Sequence, residues 1–212
     1  MFDHIKYNKI KELIKKSHKT SKIIAISKNH SIEQVEDAIR CGVNIFGENR
    51  VQEAGLKFTE ILKKDQSVKL HFTGGLQTNK VKQALSIFDV FHTLDREKLL
   101  KEFSKFPEEI DKKKFFIQVN TGKEQTKSGV FYENVQSFLK LCKSYGLINI
   151  EGLMCIPPIN EDPKKHFKLL YNLSKDLGLK GLSIGMSSDY IEALEYNPIY
   201  IRLGTALFGK RI

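Results

Sequence analysis

One lysine in this chain, Lys28, stands where a buried strand ends and a helix is about to begin. It follows the apolar run of residues 23–27, which is short for a helix and typical of an interior strand. Ser31 and Gln34 then have the spacing of a capping box at the start of an amphipathic helix. A lysine partly desolvated at a strand end can have a lowered pKa and condense with an aldehyde to form a Schiff base. The alternative is a lysine that extends to solvent, as most do.

Arg202 is the second unusual charge. Tyr200, Arg202 and Gly204 alternate with apolar residues, so one side of the last predicted strand carries the arginine. A buried guanidinium needs a partner. That partner could be a carboxylate such as Asp189 or Glu192. The guanidinium could instead donate to a heteroaromatic ring nitrogen and keep that nitrogen unprotonated.

Two clusters of glycine and hydroxyl residues are further candidates for a ligand-binding site. Residues 185–188, which include Met186, Ser187 and Ser188, follow the seventh predicted strand, and Gly204 and Thr205 follow the eighth. Exposed backbone N–H groups in such loops favour a phosphate, although each cluster could also be a simple helix cap or turn. A lysine for an aldehyde, an arginine for a ring and a phosphate cradle together describe a site for pyridoxal 5'-phosphate (PLP).

Strand-like runs alternate with helical patterns along the chain, which predicts eight βα-like units. Without a linker between them, the units indicate a single domain over residues 1–212 that folds as a (β/α)8 TIM-type barrel. A doubly wound open sheet is the alternative. An extra charged, amphipathic helix is expected before the first strand, through about Lys16. The predicted strands are 22–27, 43–47, 69–73, 88–93, 114–120, 147–155, 181–186 and 199–203.

The composition indicates which binding partners and which cellular compartment are expected. The formal net charge is +10, but the lysines are spread over nearly every predicted helix and only five basic residues are arginine, so we expect solvated helix faces and no nucleic-acid site. No apolar run is long enough for a membrane span, and no signal peptide is evident. Three distant cysteines argue against a disulfide framework or a metal site and favour the reducing cytosol.

The residues resemble the family of pyridoxal phosphate homeostasis proteins, whose fold is similar to the barrel domain of alanine racemase. The similarity runs over nearly the whole chain, which makes it specific. It is carried by IIAISK around Lys28, FGENRVQE (46–53), HFTGGLQTNK (71–80), QVNTGKEQTKSGV (118–130), GLMCIPP (152–158), LSIGMSSD (182–189) and IRLGTALFG (201–209).

This resemblance implies roles for individual residues. Lys28 would form the Schiff base with PLP, and Arg202 would face the pyridine nitrogen. Ser187, beside Met186, would hold the phosphate with the backbone of Gly204 and Thr205. Asn49 and His71 are expected to line the same pocket. Where the family pattern has a Gly-Ser pair before the last strand, this chain has Asn197-Pro198, and we expect the proline to remove one accessory phosphate contact.

The resemblance implies a cytoplasmic carrier that buffers or delivers PLP and affects amino-acid balance indirectly. Transient contact with PLP-dependent apoenzymes and a monomeric state are expected. Barrel-type alanine racemases take a second base, a tyrosine, from an additional β domain, and the eight residues after Gly204 supply none. A PLP-dependent racemase or lyase of unknown substrate remains the alternative, because bound PLP acts as an electron sink for any amino acid that enters.

Overall fold

Eight parallel strands close into a barrel in the computed structural model, which describes residues 2–209. Around the barrel the order is β1-β2-β3-β4-β5-β7-β8-β9, and β9 pairs with β1 to complete the ring. The strands are β1 (Lys22–Ile26), β2 (Ile45–Glu48), β3 (Lys69–Phe72), β4 (Val90–Leu94), β5 (Lys114–Asn120), β7 (Ile150–Met154), β8 (Gly181–Ser183) and β9 (Tyr200–Leu203). The predicted barrel is confirmed and the open sheet is wrong. A two-residue strand, β6 (Val130–Phe131), pairs with the end of β5 and was not expected.

Helices connect the strands on the outside of the barrel. The predicted extra helix precedes β1 and ends at Lys16, as expected. Among the described residues the helices are α1 (His4–Lys16), α2 (Ile32–Arg40), α3 (Val51–Lys64), α4 (Val81–Leu85), α5 (Glu97–Phe103), α6 (Pro107–Ile110), α7 (Val135–Ser144), α8 (Pro163–Asp176), α9 (Tyr190–Leu194) and α10 (Thr205–Phe208). None of these helices has the length and apolar character that a membrane span requires.

Local sequence signals set the start of the helix after β1. Ser31 accepts a hydrogen bond from the Gln34 backbone N–H, and the Gln34 side chain accepts from the Ser31 N–H, which makes the predicted capping box. The helix therefore begins only four residues after Lys28. This fixed start keeps the loop between β1 and α2 short and leaves Lys28 close to the barrel mouth.

Two apolar layers hold the barrel together. The larger layer lies between strands and helices and is rich in phenylalanine, including Phe46, Phe72, Phe91 and Phe115. Each fully buried phenylalanine stabilises the fold by roughly 2–3 kcal/mol. A smaller group fills the barrel interior and contains Ile24, Val90, Phe116, Met154 and Tyr200. The alternation of inward and outward side chains along each strand therefore decides which residues can reach the barrel axis.

Candidate functional site

A cleft of about 270 Å³ opens at the carboxyl end of the barrel strands. This is the end at which TIM barrels carry their chemistry. Six of the eight predicted site residues lie together in its wall: Lys28, Met186, Ser187, Arg202, Gly204 and Thr205. The remaining lining residues are Ile26, Thr73, Ile156 and Ser188.

Lys28 reaches the cleft because of its register on β1. Ile24 and Ile26 face the barrel interior, so two residues further on Lys28 points to the same side. The side chain is half-buried. Asn29 then turns the chain with a φ of 62°, a left-handed conformation that asparagine tolerates better than most residues. The lysine thus ends an inner strand at the wall of the cleft, as the sequence predicted.

Arg202 lies in the floor of the cleft with 5% of its surface exposed. Its Nη1 donates to the carbonyl oxygen and to the hydroxyl of Ser183, at 2.5 and 2.8 Å, and its Nη2 donates to the carbonyl oxygen of Cys155 at 2.9 Å. The ion pair with Asp189 or Glu192, which the sequence left open as an alternative, does not form. Asp189 instead accepts a hydrogen bond from the Met186 N–H.

The guanidinium therefore keeps donor capacity. It has five N–H groups and makes three hydrogen bonds, so two N–H groups have no hydrogen-bond partner among the described residues. Burial lowers the pKa of Arg202, and the nearby Cys155 and Asp189 oppose that shift. Since an arginine keeps its proton in proteins, the group presents a permanent cation there.

The loops after β8 and β9 are tied to each other at the cleft. The Ser187 hydroxyl accepts a hydrogen bond from the Ala206 N–H at 3.1 Å. No hydrogen bond within residues 2–209 uses the backbone N–H of Ser188 or Thr205. Converging donors of this kind, beside the hydroxyl of Ser187, suit an anionic oxygen. The arrangement fits a phosphate group better than an apolar one.

The structure places the other two predicted site residues elsewhere. Asn49 lines a neighbouring pocket of about 310 Å³ together with Arg50 and Lys80, and its side-chain oxygen is buried without a hydrogen-bond partner among the described residues. His71 is 1% exposed inside the barrel. Neither side chain lines the cleft that contains Lys28.

His71 is nevertheless connected to the cleft by a chain of buried polar groups. Its Nδ1 lies 2.9 Å from Nε2 of His92, and Nδ1 of His92 lies 2.9 Å from the hydroxyl of Ser183, which accepts from Arg202. The sequence analysis did not identify Ser183 or this chain. The signal was available in the register, because Ser183, His92 and His71 all occupy inward positions of their strands.

A second buried network lies behind Lys28, on the helix side of the sheet. The Lys57 ammonium on α3 donates to the Ser27 carbonyl oxygen and to the carboxylates of Glu48 and Glu53, at 2.8, 2.9 and 3.1 Å. Sequence reasoning missed Lys57 as well. The signal was its position on the apolar face of α3, between the buried residues Ala54 and Ile61.

The Asn197-Pro198 pair does not affect the cleft. It precedes β9, so it lies at the opposite end of that strand from Gly204, and Asn197 accepts a hydrogen bond from the Thr20 N–H just before β1. The expectation that Pro198 removes a phosphate contact is therefore wrong. Asn197 has a φ of 47°, which explains why glycine or asparagine suits this position.

The residues in the cleft fit PLP on observations of this structure alone. A half-buried primary amine, a buried cation with spare donors and two loops with unused N–H groups line one small cavity. These are the partners that an aldehyde, a pyridine nitrogen and a phosphate require.

Comparison with known proteins agrees with this chemistry. A sequence profile described as the alanine racemase N-terminal domain matches residues 2–211. A pyridoxal phosphate homeostasis protein of Aquifex aeolicus is 37% identical over 202 residues, which is 90% of this chain and 87% of that protein. One from Buchnera aphidicola subsp. Schizaphis graminum is 34% identical over 96% of this chain and 94% of its own. This chain belongs to the pyridoxal phosphate homeostasis protein family.

Solved structures of related proteins share the fold of this chain. PipY of Synechococcus elongatus, solved with PLP bound, has a TM-score of 0.78 and 31% identity, covering 90% of this chain and 93% of its own. An alanine racemase of Clostridium difficile has a TM-score of 0.73 over 97% of this chain but only 56% of its own, at 16% identity. This member of the homeostasis family therefore shares the racemase barrel fold and spans about half of the racemase chain.

Proposed function

We propose that this protein binds PLP as a Schiff base on Lys28 and buffers or delivers the cofactor in the cytosol. The observation that carries the proposal is the convergence of Lys28, Arg202 and the two loops after β8 and β9 on one cleft. The ε-amine of Lys28 adds to the aldehyde carbon of PLP, and water leaves as the imine forms. The relatives' name and the PipY structure with PLP support the same choice of ligand.

The other site residues hold the cofactor's remaining groups. Arg202 donates a spare N–H to the pyridine nitrogen. Ser187 holds the phosphate with the backbone of Gly204 and Thr205, and Met186 lines the cleft beside them. Asn49 takes part from the neighbouring pocket, where its side-chain oxygen is buried without a hydrogen-bond partner among the described residues. His71 contributes through Arg202 and not by touching PLP, because the polar chain through His92 and Ser183 joins it to the guanidinium.

The electronics of the site favour a carrier over a catalyst. An arginine on the pyridine nitrogen keeps that nitrogen unprotonated, which weakens PLP as an electron sink. The described residues that line the cleft also include no tyrosine, histidine, cysteine or carboxylate as a second base. Both features argue against efficient racemisation and leave slow side reactions of bound PLP as the expected activity.

The same proposal extends to the domain organisation, the oligomeric state and the cellular location. One domain over residues 1–212 acts as a monomer, handing PLP transiently to apoenzymes. Free thiols support a cytosolic location, because Cys41, Cys142 and Cys155 form no disulfide. Burial raises the pKa of Cys142 and of Cys155 to about 12, so both stay as inert thiols.

The test begins with the visible absorbance of the purified protein after addition of PLP. Borohydride reduction and peptide mapping then locate the pyridoxyl label. We expect the label on Lys28, and its loss in Lys28→Ala but not in Lys22→Ala, a lysine at the other end of the same strand. A label on another lysine, or no uptake of PLP, contradicts the proposal. Turnover of an amino-acid panel faster than free PLP would instead establish the racemase or lyase alternative.

A further inference from the structure

The network behind Lys28 contains an almost fully buried lysine. Lys57 has 7% of its surface exposed, and its ammonium makes three hydrogen bonds, one to a carbonyl oxygen and two to carboxylates. Lysine is almost never buried in this way unless it is paired, because removing the charge from water costs several kcal/mol. A buried ammonium at this place therefore needs a reason.

The side chains of this network form hydrogen bonds with the backbone on both sides of Lys28. On one side, Lys57 binds the Ser27 carbonyl oxygen at 2.8 Å, and the Ser27 hydroxyl donates to Glu48 at 2.7 Å. On the other side, Glu53 accepts from the Asn29 N–H at 2.6 Å and from Lys57 at 3.1 Å. Lys57 is the group that joins the two sides.

The alternation of β1 separates this network from the cleft. Ser27 points to the helix layer, where Glu48 and Lys57 lie, whereas Lys28 points to the barrel mouth. The network therefore acts on the peptide units that flank Lys28 and not on the ligand. It can set the position from which the Lys28 side chain extends into the cleft.

Stability alone does not account for the network. Replacing a buried ion pair with apolar residues of similar volume is often neutral or stabilising. The Glu48 carboxylate is also poorly satisfied, since its Oε2 is buried with no hydrogen-bond partner within residues 2–209. Burial raises the pKa of Glu48, and Lys57 and Ser27 oppose that shift. This buried ion pair therefore contributes little to the stability of the fold, but it can fix the backbone next to Lys28.

We propose that Lys57 is a positioning residue for Lys28, holding the 27–29 backbone so that the Lys28 amine meets the aldehyde in a fixed geometry. The proposal rests on the proposed function and extends it to a residue outside the cleft. Misplacement of a reacting group by about 1 Å can slow a reaction about 100-fold. We therefore expect loss of the Lys57 hydrogen bonds to slow Schiff-base formation by about 10- to 100-fold.

The test uses the double variant Lys57→Met/Glu48→Gln, which removes the ammonium together with the fully buried Glu48 carboxylate. The Glu53 carboxylate, whose side chain is 25% exposed, keeps its hydrogen bond from the Asn29 N–H. The conservative single variant Lys57→Arg keeps a cation. The matched control is Lys63→Met/Glu60→Gln, which removes an exposed ion pair from the same helix. For each variant we would measure the rate of PLP uptake, the pH dependence of the visible absorbance and the amide hydrogen exchange of residues 27–31. Circular dichroism confirms that each variant is folded.

We expect the double variant to be folded, to exchange the Asn29 amide faster, and to label Lys28 10- to 100-fold more slowly. Lys57→Arg should recover part of the rate, and the control should match the wild-type protein. A folded double variant with unchanged uptake rate and pH profile overturns the positioning role, whatever its hydrogen exchange.

If the double variant does not fold, Lys57→Arg decides: a full wild-type rate with an altered Asn29 amide overturns the proposal, and a reduced rate supports it. Failure of the proposed function is distinct, because the wild-type protein itself then carries no label on Lys28.

Discussion

The rings of His71 and His92 lie side by side inside the barrel, with Nδ1 of His71 2.9 Å from Nε2 of His92. Arg202 determines which nitrogens carry protons. It donates to the Ser183 hydroxyl, and that hydroxyl's own proton then has one described acceptor, Nδ1 of His92. His92 must therefore carry its proton on Nε2 and donate to Nδ1 of His71. The opposite direction would leave the buried hydroxyl proton of Ser183 without an acceptor.

The first prediction concerns these tautomers. In a ¹⁵N-labelled protein at neutral pH, His92 and His71 should both be neutral and protonated on Nε2 only. Long-range ¹H–¹⁵N correlation spectra distinguish the two tautomers directly, and the Ser183→Ala variant assigns the signal of His92, because it removes the hydroxyl donor. A His92 ring protonated on Nδ1 would show that the chain runs in the other direction.

The second prediction is a loss of stability in mild acid. Burial, with smaller contributions from Lys22 and Lys114, lowers the pKa of His71 to about 3 in the folded protein. In the unfolded chain the ring has an ordinary pKa of about 6.5, so below that pH the unfolded state binds the extra proton. The free energy of unfolding should therefore fall by about 2 kcal/mol between pH 7.5 and pH 5 for His71 alone.

His92 adds to this loss, because burial, then His71 and Arg202, holds its pKa well below the ordinary value. Urea unfolding at several pH values measures the slope. The His71→Asn variant should show a shallower slope over the same range, even if its stability at neutral pH is lower. Equal slopes in the two proteins would show that His71 titrates normally in the fold.

The third prediction separates the charge of Arg202 from its shape. Arg202→Lys keeps a cation but loses the planar group that binds Ser183 and Cys155 together, so PLP binding should weaken about tenfold. Arg202→Met leaves those buried acceptors without a donor and should lower the free energy of unfolding by about 1–3 kcal/mol. PLP titration and urea unfolding measure the two effects. Wild-type affinity in Arg202→Lys would mean that only the charge matters.

Periodicity predicted the strands and favoured a barrel over an open sheet. All eight barrel strands overlap their predicted ranges, because each buried strand forms an apolar run of limited length between helices with caps such as Ser31 and Asp162. The short strand β6 could not be predicted in this way. It has two residues, and only its pairing with the end of β5 defines it.

The site was predictable where residue type and strand end coincide. Lys28 and Arg202 stand out because a charge in an apolar strand is rare, and the structure brings both to one cleft. Partners set by three-dimensional packing were not predictable. The three hydrogen bonds of Arg202 go mostly to backbone carbonyl oxygens, which every residue possesses. The hydrogen bonds of Lys57 likewise depend on how α3 packs against the strand ends.

The last prediction concerns a close approach between two backbone strands in the barrel wall. Gly152 on β7 pairs with Gly181 on β8, and a Cβ added to Gly152 would lie 1.9 Å from the Gly181 carbonyl oxygen. Since the obstacle is backbone in a central strand pair, it cannot move without breaking the register. Gly152→Ala should therefore lower the free energy of unfolding by about 3 kcal/mol or more. Gly75→Ala is the matched control, because nothing lies within 4 Å of its added Cβ, and it should change stability by less than about 0.5 kcal/mol. Urea unfolding of both variants at pH 7.5 is the measurement, and two alanine variants of equal stability would show that β7 and β8 can separate to admit a methyl group.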